Sequence, residues 1–241
     1  MIRRTTLIII IFIFTQTIYS MQPGPPILVK CPQCDEDKEL MSLISGNTFN
    51  SIAWSDTYRY SPMLPRLSPV QKCPHCNSYF MMPDEKPRYK EDQSGFNHSF
   101  DTGRLKFSEI KEALFLLEEQ GLNRQKEIAL RLEFLYRFND AFREYERKAW
   151  EEEDNPEQKE RNETDWKLHR DNLLKLIDLY DKSDDNLIPV IAEFYREAGM
   201  FEEAIKIAEG FHSDSDFLNG VMDKIREKAI VKDDKVFDLL M

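Results

Sequence analysis

The 241-residue sequence predicts a mainly α-helical chain that opens with a small β module. Three observations predict it. Two Cys-x-x-Cys pairs, Cys31–Cys34 and Cys73–Cys76, each adjoin a short run of β-forming residues. From Leu105 onward apolar residues recur at spacings of three and four, which places them on one helical face. Shifting that helical stretch by 63 residues superimposes its apolar positions on themselves, the mark of an internal repeat. Hydrophobic residues at 41% and charged residues at 32% are ordinary for a soluble globular chain, and the length suffices for a sizeable core.

Residues 1–20 read as a targeting segment. Arg3 and Arg4 supply a basic start, Leu7 to Phe14 is an unbroken apolar run, and Ser20 is a small residue at a cleavage point. The run is far short of the roughly 20 apolar residues that span a bilayer, so a cleaved signal is expected and no stable membrane span in the mature chain. The expected location is therefore outside the cytoplasm, periplasmic or secreted. The alternatives are a retained leader, or a mis-assigned start and a cytoplasmic chain beginning at Met21. Loss of Arg3 and Arg4 takes the net charge from −11 to −13. So acidic a surface repels phosphate backbones, and no nucleic-acid partner is expected.

The β module is expected over residues 27–83. Ile27-Leu28-Val29 forms a strand ending at Cys31, and Tyr79-Phe80-Met81-Met82 forms another leaving the second cysteine pair. Two cysteines separated by two residues in a tight turn direct both sulfurs at one ion, and two such turns complete a tetrahedron. Cys31, Cys34, Cys73 and Cys76 are therefore expected to hold one structural Zn2+ in a rubredoxin or zinc-ribbon-like module. Asp35 and Asn77 follow the pairs, where a left-handed backbone is often needed and where Asp and Asn tolerate it. His75, lying between two ligands, is expected to point outward. The 38 residues between the pairs form a long insertion rich in turn formers, which loop entropy permits because closure cost grows slowly with length.

Residues 84–104 read as a polar linker and residues 105–241 as the helical domain. Helices are expected near 107–119, 124–137 and 139–152, then near 167–181, 187–198 and 201–211. They make two three-helix units, 105–152 and 166–211, separated by an acidic segment. Ile110, Ala113, Leu114 and Leu117 fall on Leu173, Leu176, Ile177 and Tyr180 at the 63-residue offset; Ala129, Phe138 and Ala141 meet the identical Ala192, Phe201 and Ala204. Ala192, Tyr195, Gly199, Phe201, Ala204 and Ala208 have the spacing of a tetratricopeptide-repeat hairpin, with Gly199 as helix stop. A capping helix near 214–229, with Phe217, Val221 and Ile225 inward, would close the stack.

Two function classes follow. Helical repeats present concave surfaces, so the leading expectation is a non-enzymatic, zinc-stabilised scaffold that binds a protein partner through the repeat. The alternative is an exported thiol–disulfide oxidoreductase using Cys73-Pro-His-Cys76, a tetrapeptide that resembles the active site of an oxidising thioredoxin-fold enzyme. No catalytic constellation is expected, because His75, His98, His169 and His212 are dispersed. The loop Ser45-Gly46-Asn47-Thr48-Phe49, then Trp54-Ser55-Asp56 and Pro62-Met63-Leu64-Pro65, completes the pattern. With both cysteine pairs it resembles an uncharacterised bacterial family that carries a split zinc ribbon and a helical C-terminal region. The resemblance implies no activity, and its members often begin near the first cysteine pair, which supports Met21 as the alternative start. Asn47, Trp54 and Asp56 are the candidate recognition surface of that loop.

Overall fold

The computed structural model describes residues 21–84, 86, 88–90, 101–143 and 161–239. The expected leader, most of the expected helix at 139–152 and most of the acidic segment at 151–165 therefore lie outside the described residues.

The N-terminal half is built from short antiparallel pairs. β1 (Gln22–Pro23) leads into β2 (Ile27–Lys30), which turns at the first cysteine pair into β3 (Asp37–Leu40). β2 buries Ile27 and Val29 and exposes Lys30, the period of two that a strand imposes. β4 (Leu43–Ser45) returns against β1, and β5 (Ile52–Ala53) pairs with β6 (Arg59–Tyr60) inside the insertion. β7 (Val70–Lys72) turns at the second cysteine pair into β8 (Tyr79–Met81), with Val70 opposite Met81. β9 (Arg88–Tyr89) adds to the other edge of β2. Part of the expected linker is thus a strand. Its far end also packs on the module: the N–H groups of Met41 and Ser68 donate to the carbonyls of Asp101 and Thr102.

Six helices follow among the described residues: α1 (Phe107–Glu118), α2 (Arg124–Asn139), α3 (Glu163–Leu179), α4 (Ile188–Glu197), α5 (Phe201–Gly210) and α6 (Asp216–Ile230). Local chemistry sets their starts. The Asn123 side chain accepts from the Lys126 N–H, and Asn162 and Asp165 satisfy each other's N–H groups at 2.9 and 3.2 Å. That reciprocal cap draws α3 back to Glu163, four residues before the expected start. Between α4 and α5, Gly199 takes φ +73°, and the N–H groups of Gly199 and Met200 bond the carbonyls of Arg196 and Tyr195. This double closure needs a left-handed residue just past the helix, which glycine supplies without penalty.

Burial follows the repeat only in part. Ile110, Ala113, Leu114 and Leu117 are inside, as are Leu173, Leu176 and Ile177. Ala192 and Ala204 are fully buried, but Ala129 and Ala141 are only half-buried, and residues 141–143 form a turn where a third helix was expected. In α6 the inward face is Met222, Ile225 and Ala229, while Phe217 is 58% exposed, so the face expected from Phe217 is displaced.

The module is welded to the helices. Val70 and Tyr79 share one core with Phe107, Ile110, Leu114 and Phe134. Trp54 and Tyr58 share another with Leu135, Leu173, Phe194 and Val236. The C-terminal segment completes the clasp: Ser55 and Phe237 exchange hydrogen bonds, and the Leu239 N–H donates to the Ala53 carbonyl. Replacing Ala192 or Ala204 with leucine is expected to cost about 1–3 kcal/mol in urea denaturation, because no space is left at either. The same change at Ala129 or Ala141 is expected to cost less. Equal losses at all four would show that the two units pack alike.

Candidate metal centre

Each cysteine pair occupies the turn of a β-hairpin, and the two turns are built alike. In the first, the Cys31 N–H donates to the Glu36 carbonyl and the Asp35 N–H to the Cys31 carbonyl, at 2.9 and 3.0 Å. In the second, the Cys73 N–H donates to Ser78 and the Asn77 N–H to Cys73, again at 2.9 and 3.0 Å. Asp35 and Asn77 take φ of 63° and 60°. Both are left-handed, as their position after the pairs suggested. The two knuckles present their sulfurs to one point.

All four Sγ atoms lie within 4.8 Å of one another. The closest approaches run between hairpins, 3.7 Å from Cys31 to Cys76 and 3.6 Å from Cys34 to Cys73. A disulfide needs about 2.05 Å, and all four cysteines are free. An ion with four sulfur bonds of about 2.3 Å sets its ligands about 3.8 Å apart. The cluster therefore has the size of a four-thiolate metal site. No other group of three or more Cys, His, Asp or Glu side chains meets this geometry among the described residues. His75 is exposed and outside the cluster; its backbone N–H donates to the Cys73 sulfur at 3.4 Å.

The electrostatics favour a cation. Burial works to raise the Cys31 thiol, but the Ser78 hydroxyl and the N–H groups of Cys34 and Gln33 bring it down to about 6. The Ser78 hydroxyl, 3.0 Å away, and its backbone also lower Cys76. At Cys34 the Glu36 N–H pulls downward, yet burial and the sulfurs of Cys76, Cys73 and Cys31 push it up to about 12. Without a metal, one negative sulfur resists the next. A divalent ion among them reverses that penalty.

The recognition surface expected from Asn47, Trp54 and Asp56 does not form. Asn47 is half-buried and its Oδ1 accepts from the Phe49 N–H, closing a local turn. Trp54 is 6% exposed and Asp56 is 0% exposed. Asp56 instead accepts from the Tyr58 N–H at 3.1 Å, from Asn139 at 2.9 Å, and from the Arg143 guanidinium in a short contact. The Arg143 guanidinium also lies 4.3 Å from the Tyr58 ring centroid. These residues anchor the insertion to the helices.

Sequence reasoning missed the polar cluster that extends from Asp56. Asn139 donates onward to Glu197 at 2.8 Å, and Glu197 stands 3.8 Å from His169. The His169 ring stacks on Phe138 with centroids 3.8 Å apart, and neither ring nitrogen has a hydrogen bond. Burial, then the charges of Glu193 and Asp56, raise the Glu197 carboxyl well above its usual range. The one available signal was the run of polar residues among the apolar positions of α2 and α4.

No family model, curated protein or solved structure compared with the chain matches it. The loop resemblance accordingly carries no family assignment.

Burial and the Arg161 charge hold His169 down to about 3, below the value near 6.5 of an unfolded histidine. A lowered folded-state value means that the unfolded chain takes up the proton first as pH falls. The contribution of the neutral ring is full above about pH 6.5 and lost on the way down to pH 3, an effect on the order of 5 kcal/mol at most. His169→Phe keeps the stack and removes the titration. It is expected to flatten the acid limb of stability against pH in urea melts, and an unchanged limb would count against the assignment.

Proposed function

We propose that this protein is a non-enzymatic, zinc-stabilised scaffold that binds a protein partner through its helical stack. The observation that carries the reading is the closed sulfur cluster, with four donors within 4.8 Å on two matching knuckles. A tetrahedral set of four thiolates suits zinc or a single iron, and it leaves no coordination position for a substrate. Redox-inert zinc is the better fit to a site that shapes two hairpins. On the helical side, α4 and α5 have the small-residue spacing of a tetratricopeptide-like hairpin, and Ala192 and Ala204 are fully buried. Stacks of such hairpins offer concave surfaces to protein partners.

The oxidoreductase reading has less support. Its attacking cysteine would need exposure and a helix N-terminus to depress its pKa. Cys73 is 0% exposed, and the pair is followed by β8.

Structural zinc contributes on the order of 10–16 kcal/mol in small modules. Protein purified without added metal is expected to carry one zinc per chain and four thiols that react only after chelation. Chelation should lower the melting temperature of the whole chain, because Val70 and Tyr79 belong to the core of α1 and α2. Metal-free protein with Cys31–Cys34 and Cys73–Cys76 disulfides would sink the proposal.

No helix among the described residues is long and apolar enough to cross a membrane. The order of basic, apolar and small residues in 1–20 supports export. An export-dependent reporter at the C-terminus should be active with residues 1–20 and silent when the chain starts at Met21. Silence in both would place the protein in the cytoplasm.

A further inference from the structure

The chain carries a net charge of −11, yet one cleft is lined by arginines. It lies between the insertion at 58–68, the segment at 102–104 and α2, and has a volume of about 270 Å³. Arg59, Arg66, Arg104 and Arg137 line it, with Glu133 as the one acid among its walls. Arg66 binds Glu133 in a short contact and Arg137 stands 3.4 Å from the same carboxylate. Behind them, Asp140 meets Arg104 at 2.8 Å, Arg137 at 2.9 Å and Arg143 at 2.8 Å, while Asp56 takes the other end of Arg143. Four arginines thus line the cleft with a single carboxylate, Glu133, among its walls.

We propose that this cleft binds a phosphate dianion, either free or as the monoester of a small molecule. The donors are only partly used. Arg137 is 3% exposed, and its Nε and Nη1 make ion contacts but no aligned hydrogen bond. Such unspent donors at a buried guanidinium mark a place where an acceptor belongs. Arg59, exposed at the mouth, has no ion pair at all among the described residues. Guanidinium forks match phosphate oxygens in pairs, and several forks on different walls suit a tetrahedral acceptor better than the two oxygens of a carboxylate. A phosphomonoester carries about −1.5 to −2 charges near pH 7, which suits a cleft walled by four arginines. Burial also holds the Glu133 carboxyl above its usual range against the pull of Arg66, weakening the one competing anion. The cleft is larger than a phosphate ion alone, and Tyr58 and Tyr60 line the remainder. Those rings offer an apolar wall to a small organic group.

The test is calorimetric titration of the full, metal-loaded chain with inorganic phosphate and with phenyl phosphate, at low salt and pH 7.5. Saturable binding at one site is expected. Arg59→Ala, a change at an exposed side chain, should weaken it about tenfold, the loss of one charge-assisted hydrogen bond. Glu133→Gln removes the competing charge and should tighten it. Tighter binding of phenyl phosphate assigns the site to monoesters, and equal or tighter binding of inorganic phosphate assigns it to the free ion. Heat that never saturates, or affinity indifferent to both substitutions, would overturn the proposal.

Discussion

The carboxylate of Asp56 meets Arg143 and Asn139 where the insertion of the β module, the end of α2 and the end of α4 converge. All of these groups are out of water. A buried ion pair adds little net stability, since desolvation offsets most of the attraction, but removing one partner strands the other at a cost of about 3–5 kcal/mol. Such a pair therefore acts on specificity. Any docking of the insertion that misplaces Asp56 leaves Arg143 uncompensated, so apolar contacts that could slide are held to one register. Trp54 and Tyr58 flank Asp56 and carry the apolar part of the same junction, packed with Leu135, Leu173 and Val236.

Arg196 extends this constraint to the other end of the chain. Its guanidinium grips Glu193 at 2.8 and 2.6 Å and donates to the carbonyls of Asp233 and Lys235. That grip delivers Phe237 to Ser55, one residue before Asp56. Two fully buried arginines, 143 and 196, thus bring residues 53–56 and 233–239 together on the helical stack. The chain is tied by polar contacts of large sequence separation, which form only when its parts are already close. Contacts of that kind slow folding.

This explains which features were legible in the sequence. The cysteine knuckles were, because metal geometry demands a local spacing, and so was the left-handed pair Asp35 and Asn77. Helix positions were legible from apolar periodicity, with starts shifted where a side-chain cap such as Asn162 decided the end. Gly199 was legible because its role depends only on neighbours. What escaped depends on contacts far along the chain. Asp56 and Trp54 look like loop residues available for recognition, since nothing nearby announces Arg143, 87 residues later. The 63-residue offset overstated the symmetry for the same reason. Ala129 and Ala192 hold matching positions, but the second is packed against α6 residues Met222 and Ile225 and the first remains half-buried. Identical residues in a repeat share a fate only if their neighbours repeat too.

The second cysteine hairpin and the arginine cleft are joined by one short stretch of chain. β7 enters the second knuckle carrying Gln71, whose side chain is fully buried and donates to the Ser68 carbonyl at 2.7 Å. Gly103, at φ +71°, lies so close that a Cβ there would overlap the Gln71 amide at about 2 Å. Any side chain at 103 would therefore push β7 and the 101–104 segment apart. Ser68 and Thr102, on either side of this contact, are hydrogen-bonded to each other and both line the cleft. The knuckle holds β7, β7 positions Gln71, and Gln71 positions the strap that brings Arg104 to Asp140. A cysteine cluster can in this way set the shape of a cleft that its own residues do not line.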